Sequence, residues 1–523
     1  MKRSLALVFA FVLLASLLVS GAALAAPKMN VAILVQDDEM IHDWDPAISY
    51  SSDHHIFLQV YENLVRYDAN SGEYINVLAT DYAISEDGLD WTFHLRQDAT
   101  FHCGAPFNAA AVKYSIERNK NMQKGASYLW NELKEVEVVD DYTVIFHLTD
   151  PIGLLEVLSC QYDAYIYCPT CAGEDLKASS EWFYRFNMCG TGPYMLQDYT
   201  KGSNLILTKY ENYYGGWKDN QYDKVVFQKA IEASSRRQMI EGGEAQVAIN
   251  IVPTDAESLA NNPNLTVNVV DASKIVNCYF NTLKAPLDNV LVRKALMFAF
   301  PFNDVVDYVK LGKYGVFPSD AIAPHVVNGA TESQPYHYDL EQAKSLLAEA
   351  GYPDGGFEVN VTFNTDNGDT RKMAELWASE LAKLGVTLKI EGGAWDAVYG
   401  TAKSEDPQAR QNIFLVETSV DTMGVYSTYA SGIMTDASWN FSGFGDPELD
   451  EAYKQAYYQC STDPENGIAK MQEIAEKYAE NCAVTNLCDM RLVIVTSKDL
   501  GGFVYNAAYD NTVFFYDCYK VAE

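Results

Sequence analysis

Positive charge is scarce in this chain: 38 lysines and arginines stand against 71 aspartates and glutamates, a formal net charge of -33. No basic stripe offsets that balance, so the surface repels phosphate backbones and anionic lipid, and nucleic-acid binding is excluded. Long apolar runs are scarcer still. Only Leu5 to Val19 is nearly uninterrupted, it is too short for a comfortable membrane span, and no later window matches it. Cysteine is missing directly after the small residues Ala23-Leu24-Ala25, which removes the nucleophile a lipid anchor would need there. There is no His-Glu-x-x-His site, no Gly-x-Ser-x-Gly elbow and no phosphate loop, and His42, His54 and His55 lack a third partner at diagnostic spacing. Low-complexity tracts and short internal repeats are absent as well.

What is present begins with an export signal. Lys2 and Arg3 form the positive head, Leu5 to Val19 the apolar core and Ala23-Leu24-Ala25 the cleavage site, so residues 1–25 read as a cleaved signal peptide. The expected product is periplasmic or otherwise extracytoplasmic, not lipid-anchored, and more acidic once Lys2 and Arg3 are gone. Its length exceeds what one core supports, so two or three domains are expected. Thirty-five tyrosines suit wet cores or polar ligand clefts. Ten cysteines in an exported chain favour disulfides, with Cys168, Cys171, Cys482 and Cys488 as the candidates. Cys168-Pro-Thr-Cys171 also has the spacing of a redox motif or a metal knuckle, but it is one such pair and not two. Free thiols, thiol exchange and metal binding therefore stay open behind the disulfide reading.

Periodicity alternates helices and strands. Met29 to Val35 reads as a strand, and Ile56, Val60 and Leu64 recur at helical spacing. Trp91 to Leu95 and Thr143 to Leu148 read as strands of a small sheet. Asp288 or Asn289 can cap a helix ending before Pro301. Asp339 with Gln342 is a candidate capping box for a helix carrying Leu340, Ala343 and Leu347, with Gly351 as its stop. Met373 to Leu384 predicts a helix stopped by Gly385, Val386 to Ile390 a strand, and the Asp446-Pro447 turn the start of a further helix. Helix, glycine and strand in that succession point to α/β layers.

Separated motifs then carry a resemblance. Tyr61-Glu-Asn-Leu-Val65, Asp87 to Arg96, Phe101 to Phe107, Gly190-Thr-Gly-Pro-Tyr194 and Asn212-Tyr-Tyr214 come first. Asn281-Thr282 with Pro286 to Leu296, Tyr338-Asp339 to Gly351-Tyr-Pro353, and Leu384-Gly-Val386 follow in order. Together they resemble the extracellular solute-binding proteins of ABC importers, in the peptide/nickel-binding family that includes oligopeptide and dipeptide receptors. The resemblance implies a bilobal α/β fold with an additional small α/β domain. It places lobe I in 26–68, 190–283 and 495–523, the small domain in 69–189 and lobe II in 284–494, with hinge crossings near 283 and 494. It also implies a noncatalytic monomer without cofactor or resident metal, which captures short peptides and delivers them to a membrane permease. A nickel chelate, an oligosaccharide or another organic solute is the alternative cargo. An exported thiol-exchange enzyme and a Tyr-rich surface interaction protein are the alternatives of other classes.

The same resemblance nominates site residues. Peptide receptors place an aspartate after Gly-Trp to receive the ligand's α-amine. Here Phe414-Leu-Val-Glu417-Thr-Ser-Val-Asp421 makes Asp421 the match and Glu417 the fallback, with no tryptophan between. A desolvated ammonium needs such an opposing charge. Trp395 resembles a cleft-lining aromatic, while Trp44 and Tyr426 are loop candidates. Arg371 is the candidate partner for a ligand carboxylate. No arginine lies around Phe363-Asn-Thr365, where a dipeptide receptor is expected to hold its carboxylate, so peptides longer than dipeptides are expected. Family members carry an acid where this chain has Asn108-Ala-Ala-Ala-Val112, a change expected to alter only a helix surface.

Overall fold

Two strands longer than any other organise the molecule. In the computed structural model, which describes residues 29–173, 175–365 and 368–521, Leu265–Phe280 and Val484–Ser497 pair antiparallel at the centre of an 11-stranded sheet. The expected signal peptide lies outside the described residues. Beyond the Val484–Ser497 strand the sheet continues through Val247–Ala248, Val31–Gln36, Lys224–Lys229, Asn204–Lys209 and Tyr194–Thr200. Beyond Leu265–Phe280 it continues through Ile413–Ser419, Glu358–Asn364 and Thr387–Gly393. The two wings use opposite halves of the long strands. Val247 and Ala248 pair with Thr496 and Val495, whereas Ile413–Ser419 pairs with Phe280 back to Lys274. Between the halves the register slips, from Asp271 opposite Arg491 to Ile275 opposite Asp489. A slip of this kind locally disrupts the ladder and bends the strand, so one sheet serves two lobes.

Each lobe has its own core. Val292, Leu296, Leu347, Val361, Trp377 and Leu415 are fully or almost fully buried in one, and Leu34, Phe57, Tyr194, Val225 and Phe515 in the other. Local chemistry places the helices. Asn289 caps Val290–Phe298 by accepting from the Leu291 N–H at 2.9 Å, Asp339 caps Leu340–Glu349 through Gln342 N–H at 2.9 Å, and Asp446 caps Pro447–Cys460 through Leu449 N–H at 3.0 Å. Gly385 ends its helical segment with φ +73°, and an added Cβ would meet the Asp354 carbonyl at 2.2 Å.

A separate four-stranded sheet, in the order Ala79–Ile84, Asp90–Leu95, Thr143–Leu148 and Leu133–Asp140, lies under the helix Ala109–Met122. Trp91, Phe93, Val144 and Phe146 alternate inward against Val112, Ile116 and Trp130. The architecture is thus a bilobal α/β fold with an additional small α/β domain.

Two local expectations change. The helix through Ile56 stops at Val60 and does not reach Leu64, because the Val60 carbonyl accepts from Gly192 N–H at 3.0 Å and Tyr61 turns extended. Asn108 is not a surface substitution, for its side chain caps Ala109–Met122 by accepting from Ala111 N–H at 3.1 Å.

Candidate functional site

Charged and aromatic side chains from both wings converge where the long strands cross. A cavity of about 1080 Å³ is lined by Asp37, Asp38, Asn250 and Thr254 on one side and by Tyr308, Asp369, Lys372 and Trp395 on the other, with Lys274 and Glu417 on its floor. Glu417 also borders an adjoining cavity of about 170 Å³, whose wall includes Tyr50, Tyr162, Asn277, Tyr279, Asp421 and Trp439. The two spaces meet at Glu417 and form one cleft with a roomy outer part and a narrower end.

Asp421 closes that end. It follows the strand Ile413–Ser419, is 5% exposed, and receives hydrogen bonds from two phenols carried by distant segments. Tyr50 Oη donates to Oδ2 at 2.7 Å, and Tyr128 Oη donates to the same oxygen. Burial pushes the carboxyl up to about 6, while the hydrogen bonds from Tyr128 and Tyr50 hold it from rising further. None of the ion pairs among the described residues includes Asp421. The cleft floor is better matched: Lys274 Nζ lies 3.5 Å from Asp510 Oδ2, an attraction that raises the lysine above its ordinary range despite burial. Asp369 pairs with Lys310 at 3.0 Å and with Lys372 at 3.2 Å. Trp395 stacks on Trp439 with ring centroids 6.1 Å apart and planes 24° apart, so one aromatic pair links the outer cavity to the narrower one.

The structure therefore gathers Asp421, Glu417 and Trp395 around one cleft and puts the other nominees elsewhere. Trp44 is 5% exposed in the core, 4.9 Å from the rings of both Phe186 and Tyr199. Tyr426 stacks on Tyr457 at 3.9 Å beside a separate cavity. Arg371 is exposed, its guanidinium 5.5 Å from the Phe363 ring centroid. Tyr50, Tyr128 and Tyr162 were not singled out by sequence. Their only signal was the abundance of tyrosine, and Tyr50 reaches Asp421 across 371 residues of chain.

All ten cysteines are unbridged in this structure, so none of the expected disulfides is formed in it. Cys482 ends a helix beside Thr485, whereas Cys488 lies within the following strand beside Gly315.

A two-lobed receptor with its ligand space at the lobe boundary is the class this geometry defines. The family model for bacterial extracellular solute-binding proteins, family 5 (middle), matches residues 73–444, and the chain belongs to that family. The dipeptide-binding protein of Escherichia coli (strain K12) is 32% identical over 373 residues, covering 67% of this chain and 69% of that protein. Glutathione-binding protein GsiB of Salmonella typhimurium is 29% identical over 444 residues, covering 82% and 83%. The dipeptide-binding protein of Pseudoalteromonas sp. SM9913, solved with Met-Leu, superposes with a TM-score of 0.80 at 22% identity over 94% of this chain and 100% of that one. The chain is accordingly the extracytoplasmic substrate-binding component of an ABC importer, not an enzyme, and its protein partner is the membrane permease. No helix among the described residues is long and apolar enough to cross a membrane.

Proposed function

We propose that the cleft captures short peptides of several residues by their free amino end, with Asp421 as the partner of the ammonium. The observation that carries this reading is a buried carboxylate at the narrower end of a cleft, held by two neutral phenols and, among the described residues, by no cation. Phenol donors fix the carboxylate's direction but leave its charge unbalanced, and an incoming ammonium supplies the missing half. Tyr50, Tyr162 and Trp439 line the same end and offer ring faces to a cation. The outer cavity, with Trp395 and Lys372 on its wall, exceeds what a drug-sized ligand fills and gives room for residues beyond the second. Lys274 and Lys372 line the outer cavity and are the cations proposed for the far carboxylate, while Arg371 is set aside on its exposed position. Glu417, between the two cavities, is the fallback acid. Closure would turn on the paired long strands where their register slips, bringing Tyr50 and Tyr128 onto Asp421 as the lobes meet.

Native mass spectrometry of gently purified protein, followed by calorimetric competition with a peptide-length series, a nickel chelate and neutral oligosaccharides, tests the proposal. Saturable binding that strengthens beyond the dipeptide is expected. Selective binding of the chelate or the sugar, with no saturable peptide binding, would overturn the peptide reading and leave the receptor fold intact.

A further inference from the structure

Away from the cleft, the four sulfurs of Cys103, Cys168, Cys171 and Cys189 all lie within 4.8 Å of one another. Three chain segments bring them together. Cys103 sits in a turn closed by Phe101 N–H donating to the Ala105 carbonyl at 2.8 Å and Gly104 N–H to the Phe101 carbonyl at 2.7 Å, ahead of the helix Ala109–Met122. Cys168 and Cys171 flank the first turn of the short helix Pro169–Ala172, and Cys189 precedes the strand Tyr194–Thr200. The backbone already ties these segments: Cys168 N–H donates to the Cys189 carbonyl at 3.0 Å and His102 N–H to the Gly190 carbonyl at 2.9 Å.

Sulfur spacing distinguishes the options. A disulfide needs two sulfurs about 2.05 Å apart, yet Cys103 and Cys168 stand at 3.5 Å and all four cysteines are unbridged. Four thiolates around one ion at a metal–sulfur distance of about 2.3 Å place their sulfurs about 3.8 Å apart, and the cluster brackets that value. A multi-iron cluster spreads its cysteine sulfurs more widely than this group allows. The local backbone is built the same way. Gly104 and Gly173, both at φ +85°, turn the chain away directly after the sulfur-bearing loops, with nothing within 4 Å of an added Cβ.

We infer that these four cysteines form a closed tetrathiolate site for a single thiophilic ion of the Zn²⁺ class, clamping the small domain together where it joins the adjoining lobe. Four protein sulfurs leave no open position, so the ion is structural: it replaces four thiol protons and performs no redox step. This goes beyond the sequence expectation of no resident metal, in which only the Cys168–Cys171 knuckle was visible. The place of attachment fits a clamp. Gly190, next to Cys189, approaches the Val60 carbonyl so closely that a Cβ would lie 2.0 Å from it, and His102 Nε2 meets the Gly192 carbonyl at 2.9 Å.

The test uses the full exported chain, purified without chelator, with elemental analysis, native mass and mercurial titration of the wild type. About one zinc per chain is expected, released in step with modification of four thiols, and Co²⁺ exchange should produce the visible spectrum of a tetrahedral thiolate site. In C103S/C189S the zinc should be lost and the melting temperature lowered, with ligand affinity retained. The wild-type titration stands even if that variant does not fold. A denatured mass four hydrogens below the all-thiol chain, showing two disulfides among these cysteines, would overturn the proposal. So would four freely alkylated thiols with no zinc retained after reduced protein is incubated with Zn²⁺.

Discussion

Asp45 and Asp421 are both buried aspartates, yet one is complete and the other waits for a partner. Asp45, fully buried, faces Arg118 across two charge-assisted hydrogen bonds of 2.7 and 2.6 Å, and Ser180 donates a third at 2.6 Å. Asp421 receives only neutral phenols and borders a cavity. The first arrangement joins the small domain to an N-terminal loop, its charge already balanced. The second provides geometry without charge balance. The difference separates a carboxylate that holds the fold from one placed to receive a cation.

Arg118→Ala should give the largest effect, because it strands Asp45 without its counter-charge: about 3–5 kcal/mol of stability lost in denaturant unfolding. Leu347, 1% exposed on the helix Leu340–Glu349, provides an uncharged control. Leu347→Ala should cost about 2–5 kcal/mol, and a shift near zero would refute its place in the core. Asp421→Asn should behave in the opposite sense. Affinity for a free-amine peptide falls by about 2–5 kcal/mol, while the ligand-free protein is not destabilised at pH 7.5.

The sign for Asp421 follows from its raised carboxyl. Between the ordinary value of 3.8 and about 6 the folded state holds the proton more tightly than the unfolded chain. Stability therefore drops as pH rises through that window, by at most about 3 kcal/mol, and Asp421→Asn removes the drop. Ligand binding needs the ionised form, so wild-type affinity should weaken about tenfold between pH 7.5 and pH 5, and the variant should lose most of that dependence. Tyr50→Phe should give the smallest change, about 1 kcal/mol of affinity, since it deletes one neutral donor to the carboxylate. A loss as large as that of Asp421→Asn would mean that the phenol itself meets the ligand.

Legibility from sequence divides along the same line. Asn289, Asp339, Asp446 and Gly385 were readable because caps and stops act over a few residues, and Leu347 because a buried stripe repeats within one helix. Asp421 came from its place in a family motif. Its phenolic partners could not, since Tyr50 and Tyr128 lie 371 and 293 residues away and belong to no motif. Trp44 failed as a cleft residue because an aromatic in a polar loop packs equally well inward, as it does against Phe186. The knuckle at Cys168 and Cys171 was visible, whereas Cys103 and Cys189 join it only through the fold.

Acetylating the amino end of a bound peptide, measured by calorimetry against both wild type and Asp421→Asn, tests the pairing most directly. If the ammonium meets Asp421, acetylation should cost the wild type about 2–5 kcal/mol and cost the variant little, leaving a coupling energy nearly as large as either single change. Equal losses on acetylation in both proteins would contradict the assignment.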